Sequence, residues 1–219
     1  MGSIESGKQL QNKKLECSRL ELYFKESDSK KEFASKYLQY LSEITLNIDE
    51  SVIENIIDSL LLAWESNNSV YLIGNGGSAA IASHLANDIN IGTLLRGSKP
   101  FRVISLVDNP AIVTAISNDE NYASVFVKQL EGILNQGDVI MAFSVSGNSM
   151  NIIKALEYAR EKNAVTIVCT GFDGGLAKQI ADINLHVPTY KGEYGPAEDV
   201  FSIVCHLIYS YLRLSRNRF

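Results

Sequence analysis

The chain has little of what marks a membrane, secreted or nucleic-acid-binding protein. Its 219 residues include no run of about 18 apolar side chains, the length that a spanning helix needs, and no segment that resembles a signal peptide. Acidic residues outnumber basic ones by 25 to 20, giving a net charge of −5, whereas proteins that hold a nucleic-acid backbone usually carry a basic face. We therefore expect a cytoplasmic protein whose partners include neither nucleic acid nor a membrane.

Cysteine is also scarce. The three cysteines are Cys17, Cys169 and Cys205, an odd number without the spacing of a Cys-x-x-Cys motif. Cys169 and Cys205 lie in apolar runs, so we expect them to be reduced thiols in the core. That usage is typical of a reducing compartment.

Most of the chain alternates between short apolar runs and helical patterns. Residues 1–30 are polar and are predicted to form an N-terminal extension, while residues 31–219 are predicted to form a single domain that opens with two amphipathic helices, 31–48 and 49–64. The predicted strands are 70–73, 102–107, 138–143, 164–169 and 183–187, and the predicted later helical segments are 78–91, parts of 109–135, 148–162 and 196–214. This alternation predicts an α/β fold with a doubly wound, five-stranded parallel sheet between helix layers.

A glycine-rich loop, Gly-Asn-Gly-Gly-Ser at 74–78, joins the first predicted strand to a helix. Glycines let the backbone approach a ligand closely, and the amides at a helix N-terminus attract an anion. With Ala79, the loop also satisfies the dinucleotide-binding pattern G-x-G-x-x-A, in which Asp108 after the second strand could hold a ribose. It is not a P-loop, because no lysine follows the glycines.

A second loop, Ser-Val-Ser-Gly-Asn-Ser at 144–149, follows the third predicted strand and precedes another helix. Hydroxyl donors together with helix N-terminal amides suit a compact phosphomonoester, although the serines could instead only cap the helix. Open α/β sheets bind ligands at the carboxyl ends of their strands. The two loops together therefore predict a phosphate site.

Two helices carry residues that are suited to metal binding or proton transfer. His84 and Asp88 are four residues apart, and Glu198, Ser202 and His206 follow the same step on the last helix, so each set shares one helix face. Imidazoles and carboxylates in this arrangement can bind Zn²⁺ or act as general base and acid. Either set could also be a solvated surface pair or a hydrogen-bonded core histidine.

These residues together resemble the phosphoheptose isomerases, a branch of the sugar isomerase (SIS) domain superfamily. The resemblance covers about residues 35–215 and includes GNGGSAA at 74–80 with His84, ND at 118–119, GDVIMAFSVSGNS at 137–149 and TGFDGG at 170–175. It implies a five-stranded parallel sheet and a homotetramer with active sites at the subunit interfaces. The implied reaction is an aldose–ketose isomerisation, from sedoheptulose 7-phosphate to D-glycero-D-manno-heptose 7-phosphate through an enediolate.

The resemblance also implies roles for individual residues. Asp88 and His206 correspond to the catalytic pair of the family, and a divalent ion, Zn²⁺ first, would be held at His84, Asp88, Glu198 and His206. The residues implied to bind the substrate and its phosphate are Asn75, Gly76, Gly77, Ser78, Asp108, Asn109, Ser144, Val145, Ser146, Ser149 and Glu198.

The chain departs from the family pattern at three positions. Members usually have Glu where this chain has Asp88, Gln where it has Glu198, and Arg where it has Gly92. Two alternatives to the heptose enzyme follow: an isomerase of a different sugar phosphate, and a non-catalytic binding protein of the same superfamily. Because Asp88 and His206 are both present, the sequence favours an enzyme.

Overall fold

A five-stranded parallel sheet forms the centre of the molecule. The computed structural model describes residues 18–216. The strands are β1 (Val70–Gly74), β2 (Val103–Ser105), β3 (Val139–Ser144), β4 (Val165–Thr170) and β5 (Ile183–His186), and they lie in the order β2-β1-β3-β4-β5. Every neighbouring pair is parallel. The predicted doubly wound sheet is therefore confirmed, with each predicted strand in its place.

Nine α-helices surround the sheet in the described part of the chain. They are α1 (Arg19–Lys25), α2 (Lys30–Leu46), α3 (Glu50–Glu65), α4 (Gly77–Gly92), α5 (Pro110–Asp119), α6 (Val127–Leu130), α7 (Met150–Glu161), α8 (Gly175–Ile180) and α9 (Tyr194–Arg216). The helical segments expected within 109–135 are α5, α6 and a short 3₁₀ turn at Tyr122–Ser124. The sequence did not predict the short helices α1 and α8.

Alternate residues of each inner strand face two separate cores. In β1, Val70 and Leu72 belong to the core that α2, α3, α4 and α9 cover. Tyr71 and Ile73 belong to the core on the other face, beneath α6, α7 and α8. Burial on both faces explains why the strands read as continuous apolar runs and not as alternating ones.

Helix α1 lies within the segment assigned to the polar extension, and it is fastened to the chain just before α9. Ser18 Oγ and the Leu20 amide donate to Glu193 Oε1 at 2.7 and 3.0 Å, and Tyr40 of α2 donates to Glu193 Oε2 at 2.8 Å. The Glu193 carboxylate is buried. Most of the predicted extension, residues 1–17 including Cys17, lies outside the described residues.

The remaining cysteines behave as predicted. Cys169 and Cys205 are free and buried, and burial raises the pKa of both thiols. Over residues 18–216, no helix has both the length and the apolar character required to cross a bilayer.

Candidate functional site

A cavity of about 370 Å³ lies at the carboxyl ends of β1 and β3. These strands are neighbours at the point where the strand order reverses, the position at which open α/β sheets bind ligands. The cavity is lined by Asn75, Gly76, Gly77, Ser78, Phe143, Ser144, Val145, Ser146, Ser149, Tyr194 and Glu198. The structure thus brings the glycine-rich loop and the serine loop together in one wall.

The glycine-rich loop depends on two of its glycines. Gly76 has a φ of 55° at the N-cap of α4, a left-handed conformation that other residues adopt at a cost. A Cβ atom on Gly77 would overlap Glu198 Oε2, so the carboxylate would have to move away from the start of α4. Glycine at both positions lets α4 begin at the edge of the cavity, where its first amides have no partner within the helix.

In the serine loop, helix capping does not account for Ser149. This residue occupies the N-cap position of α7, yet its side chain makes no capping hydrogen bond. The Ile152 amide bonds instead to the Ser149 carbonyl and to Asn151 Oδ1, each at 3.0 Å. Ser149 lines the cavity, so its hydroxyl is placed to bind an anion there.

Glu198 brings a negative charge to the same cavity. Its Oε1 accepts a hydrogen bond from the Ser78 hydroxyl at 2.9 Å, which connects the start of α9 to the start of α4. Ser78 is buried. A carboxylate at this position repels a phosphate unless a proton or a cation neutralises it.

The second cluster lies farther along the same two helices. His84 Nε2 is 2.9 Å from His206 Nε2 and 3.3 Å from Asp88 Oδ2, and His206 Nε2 is 3.8 Å from the same carboxylate oxygen. The two imidazole side chains are about half exposed, at 53% and 56%, whereas the Asp88 side chain is 16% exposed. The prediction that α4 and α9 bring these groups together is confirmed for these three residues.

The donor atoms of this cluster fit a divalent metal ion. One ligand atom from each of His84, Asp88 and His206 lies within 4.8 Å of the others. Two imidazole nitrogens and one carboxylate oxygen form the donor set of many catalytic zinc sites, in which a fourth position stays open to water or substrate. Glu198, the fourth predicted ligand, bonds to Ser78 instead, so its metal role stays a prediction.

Asp108 and Asn109 lie outside the wall of this cavity. Asp108 Oδ1 contacts the Ser83 hydroxyl, beside His84 on α4. Asn109 Oδ1 accepts from the Ala111 and Ile112 amides at 3.1 and 3.2 Å and so caps α5. The structure therefore gives Asn109 a role in capping, and it places Asp108 against Ser83, in the middle of α4.

Gly92, one of the departures from the family pattern, faces the ring of Tyr209. A Cβ atom on Gly92 would lie 2.5 Å from Tyr209 Cε2 and 2.7 Å from its hydroxyl oxygen. The hydroxyl accepts a hydrogen bond from Arg213 Nη1 at 3.2 Å. A tyrosine and an arginine of α9 thus lie near the α4 position at which the family usually has arginine.

Sequence reasoning missed four residues at or beside the cavity. Phe143 and Tyr194 line it, and Tyr122 and Asn151 bond to Asn75. Tyr194 follows β5, on the side of the sheet where the strands end. This position in the chain could have identified it as a residue of the cavity. Asn151 is a polar residue on the buried side of α7. The helical pattern of the sequence shows this burial, but it does not connect Asn151 to Asn75.

Comparison with known proteins agrees with this geometry. A family model described as the SIS domain matches residues 32–171. The chain belongs to the SIS domain family. A probable phosphoheptose isomerase from Thermoplasma acidophilum is 38% identical over 154 residues, which cover 70% of this chain and 84% of that protein.

Two further relatives carry the same description. The phosphoheptose isomerase of Aquifex aeolicus is 35% identical over 163 residues, 73% of this chain and 85% of that protein. The structure of phosphoheptose isomerase from Neisseria gonorrhoeae aligns with a TM-score of 0.69 at 25% identity, covering 81% of this chain and 91% of that one. The SIS domain assignment therefore has support from both sequence and fold.

Proposed function

We propose that this chain is an aldose–ketose isomerase that converts sedoheptulose 7-phosphate to D-glycero-D-manno-heptose 7-phosphate through an enediolate. The observation that carries the proposal is that one pair of helices holds both parts of the site. Ser78 and His84 are six residues apart on α4, and Glu198 and His206 are eight residues apart on α9. At 1.5 Å per residue these separations are about 9 and 12 Å, the scale of an open-chain sugar phosphate.

The phosphate end of the substrate would lie between the two loops. Hydroxyls of Ser144, Ser146 and Ser149, together with amides at the starts of α4 and α7, would donate to its oxygens. This anchoring would give the sugar chain one direction, because the glycine-rich loop lies at the start of α4 and the two histidines lie farther along α4 and α9. Binding energy at the phosphate then positions the carbonyl carbon for reaction.

Proton transfer would take place at the second cluster. Asp88, the least exposed of the three residues, would take the proton from the carbon beside the carbonyl, and His206 would move protons between the two oxygens. A divalent ion held by His84, Asp88 and His206 would polarise the carbonyl when bound. Because a carboxylate that ligates a cation becomes less basic, the base and ligand roles of Asp88 compete.

A different sugar phosphate is the second candidate substrate. The observation that favours it is at Gly92, where the Tyr209 ring occupies the space that a side chain would need. This position lies one turn beyond Asp88, outside the two loops. The relatives named as phosphoheptose isomerases favour the heptose. A non-catalytic binding role has less support, since the groups that would transfer protons are assembled.

Assembly as a homotetramer with sites at subunit interfaces belongs to the proposal, as does a cytoplasmic location. Support comes from α9, on which Ile203, Leu207, Tyr211 and Leu214 form an exposed apolar row. The exposed His84 and His206 lie on the same pair of helices. A second copy of the chain against this row would cover the apolar surface and enclose the histidines.

The deciding experiment is an isomerase assay in D₂O on zinc-loaded protein with sedoheptulose 7-phosphate, followed by NMR. We expect deuterium to enter the substrate beside the carbonyl, and the His206→Ala variant to lose that exchange while still binding the sugar phosphate. If the sugar phosphate binds but no exchange occurs, the heptose activity is wrong, and the same assay on other sugar phosphates separates a different isomerase from a binding protein.

A further inference from the structure

Two asparagine side chains connect the phosphate loops beneath the cavity. Asn75, in the loop after β1, donates from Nδ2 to Asn151 Oδ1 at 3.0 Å, and Asn151 donates from Nδ2 to Asn75 Oδ1 at 2.8 Å. Asn75 lines the cavity. Asn151, in the first turn of α7, is 2% exposed, so it acts on a ligand through Asn75.

The orientation of both amides follows from one backbone contact. The Ile152 amide lies 3.0 Å from Asn151 Oδ1, and a backbone N–H can only donate. The atom that faces Ile152 is therefore the oxygen of Asn151. Because that oxygen also receives the hydrogen bond from Asn75, the nitrogen of Asn75 must face it, and the oxygen of Asn75 must face the nitrogen of Asn151.

Tyr122 completes the arrangement from a third element. Its hydroxyl lies 2.7 Å from Asn75 Oδ1, and an amide oxygen can only accept, so the hydroxyl donates. With Asn151 and Tyr122, the oxygen of Asn75 accepts two hydrogen bonds, the number its lone pairs support. What Asn75 can still offer to the cavity is the second hydrogen of its Nδ2.

We propose that Asn151, assisted by Tyr122, is a positioning residue that fixes the Asn75 amide as a hydrogen-bond donor to the substrate phosphate. This inference rests on the proposed function. Without Asn151, the Asn75 amide can turn over and present its oxygen to the phosphate, where two acceptors repel each other. An asparagine amide can present either a donor or an acceptor. Asn151 and Tyr122 thus make Asn75 present its donor, which suits an anion.

The test is a titration of the full chain with inorganic phosphate and with sedoheptulose 7-phosphate, by calorimetry. Asn151→Leu removes the amide at similar size, and the Ile152 amide keeps its bond to the Ser149 carbonyl. We expect affinity for both ligands to fall about tenfold, the size of one hydrogen bond to a charged group. In an Asn75→Ala background, Asn151→Leu should cause no further loss, because its effect passes through Asn75.

A second variant keeps the test informative if Asn151→Leu folds poorly. Tyr122→Phe removes only a hydroxyl from a ring that is 54% exposed. Tyr158→Phe, on α7 and outside the cavity, is its control. Tyr122→Phe should weaken phosphate binding by about threefold, and the control should not change it.

Three results would overturn the inference, and they separate the positioning role from the proposed function. Unchanged phosphate affinity in Asn151→Leu and Tyr122→Phe, or an equal loss from Asn151→Leu with and without Asn75, would reject the positioning role alone. If the wild-type chain bound neither phosphate nor sugar phosphate, the phosphate site and the proposed function would fail together with it.

Discussion

Glu198 places a carboxylate in the wall of a cavity whose other polar groups suit an anion. Since its Oε1 accepts from the Ser78 hydroxyl, an amide oxygen at this position would keep that hydrogen bond. We therefore expect the Glu198 side chain to oppose phosphate binding by its charge and not by its shape. In the absence of a metal ion, a neutral residue of the same size should favour the anion.

Glu198→Gln should strengthen the binding of inorganic phosphate to metal-free protein by roughly threefold to tenfold near pH 7, because a like charge beside the ligand is removed. The measurement is a phosphate titration at low and at moderate salt, where screening should reduce the gain. Glu157→Gln, the same change on a different helix, α7, serves as the control. Weaker phosphate binding in Glu198→Gln would show that the carboxylate supports the site, for example through a bound cation.

At the scale of elements, the packing of α4 against α9 assembles the three-residue cluster. Zn²⁺ should raise the melting temperature of the protein. An ion at a concentration 100 times its dissociation constant adds about 2.7 kcal/mol to the free energy of unfolding. His206→Ala should abolish that increase. His186→Ala is the matched control, since His186 ends β5 and its ring contacts Thr170; an equal zinc effect in all three proteins would contradict the site.

The hydrogen bond from Tyr40 of α2 to Glu193 gives a prediction for alkaline pH. Burial and the hydrogen bond to Glu193 raise the pKa of Tyr40 above its usual value of 10. Below about pH 10 both states keep the phenol proton, whereas above it the unfolded chain releases the proton first. Stability should therefore fall as the pH rises beyond about 10.

Tyr40→Phe tests this hydrogen bond. It leaves a buried carboxylate with one donor fewer, so we expect a loss of about 1 to 3 kcal/mol in the free energy of unfolding at neutral pH, and a smaller further loss at alkaline pH than in the wild type. Denaturant titrations at pH 7 and pH 11 measure both effects. Tyr158→Phe on α7 is the control, and equal pH dependence in Tyr40→Phe and the wild type would contradict the argument.

The sequence predicted those elements and loops whose residues form a pattern within a short stretch of the chain. The strands and long helices each bury a continuous or periodic set of apolar residues. The glycine-rich loop and the serine loop are recognisable from the spacing of their glycines and serines. Helices α1 and α8 have seven and six residues, too few to show a period. The contacts of Asn75 with Asn151 and Tyr122 join residues 76 and 47 positions apart, and no local pattern connects them.

For the whole molecule, the exposed apolar row on α9 predicts self-association. Leu207 is 46% exposed in the single chain, and covering such a row is a common reason for oligomers to form. Leu207→Lys should shift the protein to smaller species in light scattering coupled to size-exclusion chromatography, while Leu46→Lys, at an exposed leucine of α2, should not. A wild-type protein that is monomeric at micromolar concentration would contradict the proposal.

The contact between Gly147 and the Gly174 carbonyl, which leaves no room for a side chain, bears on how such a protein can change over evolutionary time. It holds the serine loop against the β4–α8 loop through backbone atoms, so almost any codon change at Gly147 should be purged. The helix faces around Gly92 and Tyr209 carry no such backbone constraint. A lineage could therefore explore new sugars by altering the helices while it keeps the backbone of the serine loop unchanged.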